Sequence, residues 1–322
     1  MRLRLVPKET SFDFFKRWKL WLGVSALMIV LGLVSFGLQG LNFGIDFRGG
    51  TTVRTEASTA VDVKSYRDAI APLGLGDVSI TEVFDPSFAE DQHVAMIRIQ
   101  SQEGGEAISG EQIETLRAAL GTVAPDIKFV SVESVGPKVS GELIWTAVLA
   151  VALAIAAVLV YIWLRFEWQF ALGAVAALVH DVVLTIGVFS ALQVKFDLAI
   201  IAALLTIVGY SLNDTVVVFD RVRENLRRYK SKDLAEVLNL SINETLSRTV
   251  MTSVTTLIAL ISLFVLGGDV IRGFVFAMIW GVIVGTYSSI FVASTILLNL
   301  GVKRDWNKPS TPTGNQFANI DA

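Results

Sequence analysis

Six long apolar runs set the pattern of this chain. They extend from about Leu20 to Leu38, Leu143 to Leu164, Trp168 to Ala191, Leu198 to Phe219, Thr249 to Leu266 and Gly273 to Leu300. A helix that crosses a bilayer needs about 20 mostly apolar residues, so each run predicts a membrane span. Between the first and second runs the pattern changes to alternation. Phe43 to Thr55 reads as a strand broken at Gly49-Gly50, and Val61 to Leu73 as a helix with Asp62 as its cap. Val78 to Phe84 and Val94 to Gln100 read as strands separated by Asp85-Pro86-Ser87. Ser109 to Leu120 reads as a helix, with Ser109 and Gln112 in capping-box positions, and Ile127 to Val135 as a last strand. The order βαββαβ predicts a ferredoxin-like split arrangement. The expected fold is an α-helical polytopic membrane protein with six transmembrane helices and one α+β extracytoplasmic domain between the first two.

The expected organisation is an N-terminal segment (1–19), transmembrane helix 1 (20–38), the α+β domain (39–141) and transmembrane helices 2–6 (142–302) with a cytoplasmic loop at about 220–247. A Pro, Thr, Asn and Gln-rich tail (303–322) is expected to be disordered. Cytoplasmic loops carry an excess of Lys and Arg. Such residues cluster at Arg2, Arg4, Lys8, Lys16, Arg17 and Lys19, again from Arg221 to Lys232, and at Lys303, Arg304 and Lys308. With six spans these clusters share one side, which puts both termini in the cytoplasm and the α+β domain outside. The first run is longer than a signal-peptide core and no Ala-x-Ala site follows it, so an uncleaved anchor is expected. Trp18, Trp21, Trp145, Trp163, Trp168 and Trp306 fall at or beyond span ends, where indole rings suit the interface.

Composition narrows the chemistry. Of the 322 residues 53% are hydrophobic and 18% charged, more apolar than a soluble domain of this size. A net charge of −3 gives no reason to expect nucleic acid as a partner. With no cysteine and only His93 and His180, thiolate and His-based metal sites are not expected. No phosphate loop or Ser/His/Asp spacing suggests an enzyme or a bound cofactor.

The informative residues are those a bilayer tolerates poorly, where a charge costs at least ~2.5–3.5 kcal/mol. Asp214 lies six residues before Asp220, about 9 Å inside the fourth span. Thr206, Tyr210, Asn213 and Asp214 follow helical spacing and form a polar stripe; Arg248, Thr252, Thr255 and Thr256 form another on the fifth span. The third span adds His180 and Asp181, with Thr185 one turn on. Desolvation disfavours an ionised carboxylate and a nearby guanidinium favours it, so a moving Arg248 would link protonation at Asp214 to helix position. The same residues also fit a fixed ion pair that only locks the helices. His180 with Asp181 fits a satisfied packing pair equally well, and Gly281 and Gly285 fit close helix packing.

Three segments resemble known sequences. Gly44-Ile45-Asp46-Phe47-Arg48-Gly49-Gly50-Thr51 resembles the opening motif of SecD and SecF periplasmic domains. The stretch from Gly209 to Arg221, containing Tyr210-Ser211-Leu212-Asn213-Asp214 and followed by Arg223-Glu224-Asn225, resembles the fourth span of the SecF family. Ser241 to Thr249 resembles the start of that family's fifth span. The resemblance covers about residues 12 to 302. It implies a member of the resistance-nodulation-division superfamily in the bacterial inner membrane that promotes protein export with the proton motive force. It also implies SecD, the SecYEG channel, YajC, YidC, membrane lipids and a translocating unfolded protein as partners. The relay carries over onto Asp214 and Arg248. Asp46, Arg48, Gly49 and Gly50 fit a strand-and-turn role as readily as a binding one. Arg221, Arg223, Arg227 and Arg228 fit topology signals, partner contacts or anionic-lipid contacts. Competing functions are a proton-driven efflux half-transporter of the same superfamily and a structural scaffold of the export channel.

Overall fold

A computed structural model describes residues 10–101 and 108–302. The basic residues Arg2, Arg4 and Lys8, together with Lys303, Arg304, Trp306, Lys308 and the expected disordered tail, lie outside the described residues. Helices in order are α1 (Trp18–Gln39), α2 (Ile45–Arg48), α3 (Val63–Ile70), α4 (Gly110–Gly121), α5 (Pro137–Arg165), α6 (Trp168–Leu192), α7 (Leu198–Arg228), α8 (Leu234–Leu266), α9 (Gly268–Ser288) and α10 (Ser294–Leu300). Strands are β1 (Gly50–Ala57), β2 (Val78–Val83), β3 (His93–Gln100) and β4 (Lys128–Val135). A single π turn, Ser289–Ala293, joins α9 to α10 into one rod.

Among the described residues, six helices are long and apolar enough to cross a membrane: α1, α5, α6, α7, α8 and the α9–α10 rod. Their burial ranks them. In α6 and the α9–α10 rod 61% of the most apolar window is covered by protein, against 6% for α5 and 11% for α1 and α8. Helices α6, α9 and, at 44%, α7 therefore form the centre of the bundle, and α1, α5 and α8 present apolar faces outward, as lipid requires. Glycines allow the closest approaches. Gly187 on α6 stands against Gly32 on α1, where an added Cβ would lie 2.8 Å from the Gly32 Cα. Gly281 accommodates Ile207 and Gly285 accommodates Ser211, which seats α9 on α7.

The insert forms one four-stranded antiparallel sheet in the order β2-β3-β1-β4, covered on one face by α3 and α4. Element order is the expected βαββαβ. Val53, Ile97, Leu116 and Leu120 are fully buried between sheet and helices, each contributing roughly 1.5–3 kcal/mol. Asp62 caps α3 through the Lys64 N–H at 3.1 Å. Ser109 and Gln112 form the full capping box of α4.

The first strand differs from expectation. Phe43 to Thr55 is not one broken strand, because Ile45–Arg48 forms a single helical turn. Gly49 (φ +75°) ends that turn and Gly50 (φ +127°) starts β1. An added Cβ at Gly50 would lie 2.3 Å from the Ile99 carbonyl oxygen, so only glycine fits beside β3 there. On the opposite membrane side, the stretch expected as a loop at about 220–247 is mostly helical: only residues 229–233 separate α7 from α8.

Candidate functional site

Two carboxylates are buried in the centre of the bundle. Asp214, on α7, is 5% exposed, and its Oδ1 accepts a bond from the Thr249 hydroxyl of α8 at 3.2 Å. Its Oδ2 is buried without a hydrogen-bond partner. Arg248, next to Thr249, is exposed and forms no ion pair or hydrogen bond among the described residues. The two residues the sequence singles out as a relay thus sit on adjacent helices without a contact between them.

The polar stripes only partly face each other. The Tyr210 hydroxyl reaches Thr256 Oγ1 at 3.4 Å, linking α7 to α8 one turn from Asp214. Thr252 and Thr256 spend their hydroxyl protons on backbone carbonyls of their own helix. Thr206, Asn213 and Thr255 are exposed, as is Arg248. A stripe at i, i+4, i+7 is wider than one helix contact, so its inner edge is buried and its outer edge points away from this chain.

Asp181 is the other carboxylate. Its Oδ2 accepts bonds from the hydroxyls of Ser211 (2.6 Å) and Ser288 (2.8 Å), while its Oδ1 lies 2.9 Å from His180 Nδ1. His180 Nε2 lies 3.1 Å from Ser25 Oγ, which is 2.9 Å from the Tyr287 hydroxyl. Tyr287 donates to the Trp21 carbonyl at 2.7 Å, so that end of the chain stops on backbone. This network joins α1, α6, α7 and α9. The π turn begins directly after Ser288, a local widening of the kind that recurs at functional positions. The sequence pointed to His180 and Asp181 but gave no reason to pick Thr249, Ser25, Ser211, Ser288 or Tyr287. Their signal is weak, since hydroxyl residues are common in membrane helices and only packing shows which ones point inward.

The glycine-rich segment forms one junction between the α+β domain and the bundle. Asp197 occupies the N-cap of α7 without capping through its own side chain. Asp46 takes that place, its Oδ2 accepting from the Leu198 N–H at 3.0 Å. Phe196 N–H donates to Asn42 O and Gly44 N–H to Phe196 O, both at 2.8 Å. Phe43, Phe47 and Phe196 pack with ring centroids 5.7–6.1 Å apart. Arg48 is exposed. A second attachment sits at the far side of the domain. Phe84 N–H donates to Asp269 Oδ2 (2.8 Å) and Asp269 N–H to Phe84 O (2.9 Å), at the turn between α8 and α9. Helix α7, which carries Asp214, and helix α9, which follows directly on the α8 helix of Thr249, are thus each tied, at the domain end, to a different point of the same sheet domain.

Spans, insert and buried carboxylates define a polytopic membrane protein with one α+β domain fastened to its ion-bearing helices. Residues 115–303 match the family described as protein export membrane protein SecD/SecF, C-terminal, and residues 34–61 match the SecD/SecF GG motif. The chain is similar to the protein translocase subunit SecF of Cereibacter sphaeroides, 62% identical across 100% of this chain and 99% of the relative. That of Rhodobacter capsulatus is 59% identical across 99% and 97%, and that of Rickettsia felis 40% identical across 95% and 97%. Among solved structures, SecDF of Thermus thermophilus superposes with a TM-score of 0.80 at 34% identity. That match covers 93% of this chain, which spans 40% of the length of the SecDF chain. The chain belongs to the SecF family of protein translocase subunits.

Proposed function

We propose that this chain works with a SecD-type partner in the bacterial inner membrane to convert the proton motive force into motion of its extracytoplasmic domain during protein export. The observation that carries this reading is the state of Asp214: buried, half-satisfied, and near an Arg248 that forms no ion pair or hydrogen bond among the described residues. A charge held in that way is costly unless a proton or a counter-ion joins it. Protonation and approach of Arg248 are alternative ways to settle it, and they favour different positions of α7 against α8. Each proton that crosses brings about 2.3 kcal/mol per 100 mV of membrane potential. The attachments at Asp46 and Asp269 give helix movement a path into the sheet domain.

The exposed outer edge, Thr206, Asn213, Arg248 and Thr255, is the face for a second membrane half. A further carboxylate supplied there by the partner would complete the relay. Lys16, Arg17, Lys19 and the basic stretch from Arg221 to Lys232 support cytoplasmic termini and an outward-facing sheet domain. A SecYEG-type channel, with YajC and YidC as its associates, is the setting in which the sheet domain would hold or pull an emerging chain.

The test is export into inverted membrane vesicles, with and without a proton gradient, for wild type and Asp214→Asn. The gradient-dependent increment disappears in the variant while assembly with the partner persists. An undiminished increment would refute the relay. Efflux of an apolar compound fits less well: a cavity on the sheet domain, about 310 Å³, is walled by Glu56, Ser58, Asp91, Gln92, Asp126 and Lys128, with only Ala57 and Ala89 as apolar lining. A static scaffold would use Asp214 and Arg248 as a locked pair, and they are not paired.

A further inference from the structure

The ends of α5 and α7 border an open cavity of about 400 Å³ at the basic membrane face, lined by Arg165, Asp220, Arg223, Glu224, Arg227 and Arg228. Guanidiniums outnumber carboxylates four to two. The carboxylates are already engaged, Asp220 by Arg165 at 3.5 Å and Glu224 by Arg221 at 2.6 Å. Arg223, Arg227 and Arg228 have no carboxylate within 4.0 Å among the described residues. Phe166, 6% exposed, lies under Arg165 and Arg223, whose guanidinium carbons stand 5.4 and 5.9 Å from its ring centre. Directly beside this cationic mouth, α5 turns an apolar track outward: Val160 is 50% exposed, Trp163 62% and Leu164 80%.

We propose that this cavity holds the headgroup of an anionic phospholipid of the cytoplasmic leaflet, whose acyl chains lie along the outward face of α5. Guanidinium forks match phosphate oxygens in pairs, and uncompensated arginines at the membrane surface favour anionic headgroups. A free phosphate would use the arginines and leave the track empty. An acidic peptide would meet the arginines but has no counterpart for a track that runs into the hydrocarbon. Trp163 marks the depth at which glycerol and acyl chain meet. The proposal uses the span positions and the charge distribution, and it does not depend on the relay.

The experiment is native mass spectrometry of the full chain taken from vesicles of phosphatidylcholine with a minority of phosphatidylglycerol. Wild type retains phosphatidylglycerol preferentially. Arg227→Gln, at an exposed position without an ion pair or hydrogen bond among the described residues, lowers that retention about fivefold, and Arg223→Gln with Arg227→Gln lowers it further. Lys16→Gln with Lys19→Gln makes the same charge change on the same face outside the cavity and leaves retention unchanged. Equal loss in that control, no loss with Arg227→Gln, inorganic phosphate bound as tightly as the lipid, or a co-purifying polypeptide in the cavity would each overturn the assignment.

Discussion

Asp181 and Asp214 are both buried on adjacent central helices, yet the molecule treats them differently. Around Asp181 both carboxylate oxygens are occupied, by Ser211, Ser288 and His180, and the network continues to Ser25, Tyr287 and a backbone carbonyl. Around Asp214 one oxygen has Thr249 and the other has nothing. A fully satisfied buried polar network rigidifies the elements it joins, whereas a half-satisfied one leaves its members an alternative. The first site therefore reads as the fixed frame of the bundle and the second as the part that changes state.

The strongest way to break this comparison is to exchange the two losses. Asp214→Asn should remove the gradient-dependent part of export while changing thermal stability by less than about 1 kcal/mol, since it deletes a charge that lacked a partner on one side. Asp181→Leu should do the reverse. It removes the acceptor shared by His180 Nδ1, Ser211 and Ser288 in the interior and should cost about 3–5 kcal/mol, seen as a lowered melting temperature in detergent and poor accumulation in the membrane. If Asp181→Leu were stable and only export suffered, Asp181 would belong to the moving part.

A second test acts on the frame without touching a charge. Gly187→Val would push a side chain against the Gly32 backbone, from which even a Cβ would be only 2.8 Å distant. Backbone cannot swing aside as a side chain can. Separation of α1 from α6 should stretch the Ser25–His180 contact (3.1 Å) and the Ser35–Ser190 contact (3.0 Å), at about 1–3 kcal/mol. Thermal unfolding of the variant measures it. An unshifted melting temperature would mean that α1 is not part of the frame.

How much of this could be read in the sequence depends on which physical rule is strong enough to act locally. Span positions could be read because a bilayer demands long apolar runs, and the cap at Asp62 and the capping box at Ser109 because those bonds reach only two or three residues. The acids and His180 stood out because a membrane penalises them. Their partners did not, because Thr249, Ser25 and Ser288 approach from other helices and hydroxyls are unremarkable there. Arg248 shows the limit of helical spacing: it is the neighbour of Thr249 on one helix, yet Thr249 bonds Asp214 while Arg248, among the described residues, forms no ion pair with it. The one-turn helix at Ile45–Arg48 was hidden by its apolar neighbours, which also suit a strand, and by a tertiary bond from Asp46 to Leu198.

That bond supplies the next test, on the connection between the moving part and the domain. Asp46→Ala removes the cap of the Leu198 N–H while Phe43, Phe47 and Phe196 still hold the junction. Loss of a helix cap costs about 0.5–2 kcal/mol. Gradient-dependent export should fall partially, while its gradient-independent part stays. Asp46→Asn, which keeps an oxygen acceptor at that position, should restore most of the increment. Equal defects in both variants would show that charge at Asp46, and not capping, is what matters.

The smallest expected effect concerns carboxylates on the surface of the sheet domain, and it sharpens the contrast by showing acids of an ordinary kind. Hydroxyls of Ser65, Ser87 and Ser58 hold the carboxyls of Asp62, Asp85 and Asp126, respectively, below the usual carboxylate range. A group whose value is lower in the folded state stabilises the fold above its unfolded value and ceases to do so as pH falls through the folded one. The domain should therefore loosen slightly only below about pH 4, where an unfolded Asp begins to hold its proton. Solvent screening keeps the effect small, because Asp62 and Asp126 are exposed and Asp85 lies at the surface. Hydrogen exchange of residues 50–135 against pH would register it, and Ser58→Ala with Ser65→Ala should flatten that acid dependence without altering gradient-dependent export. Loosening that set in well above pH 4, or an export defect in the serine variant, would mean that protons act on the sheet domain directly, and the case for locating the coupling at Asp214 would weaken accordingly.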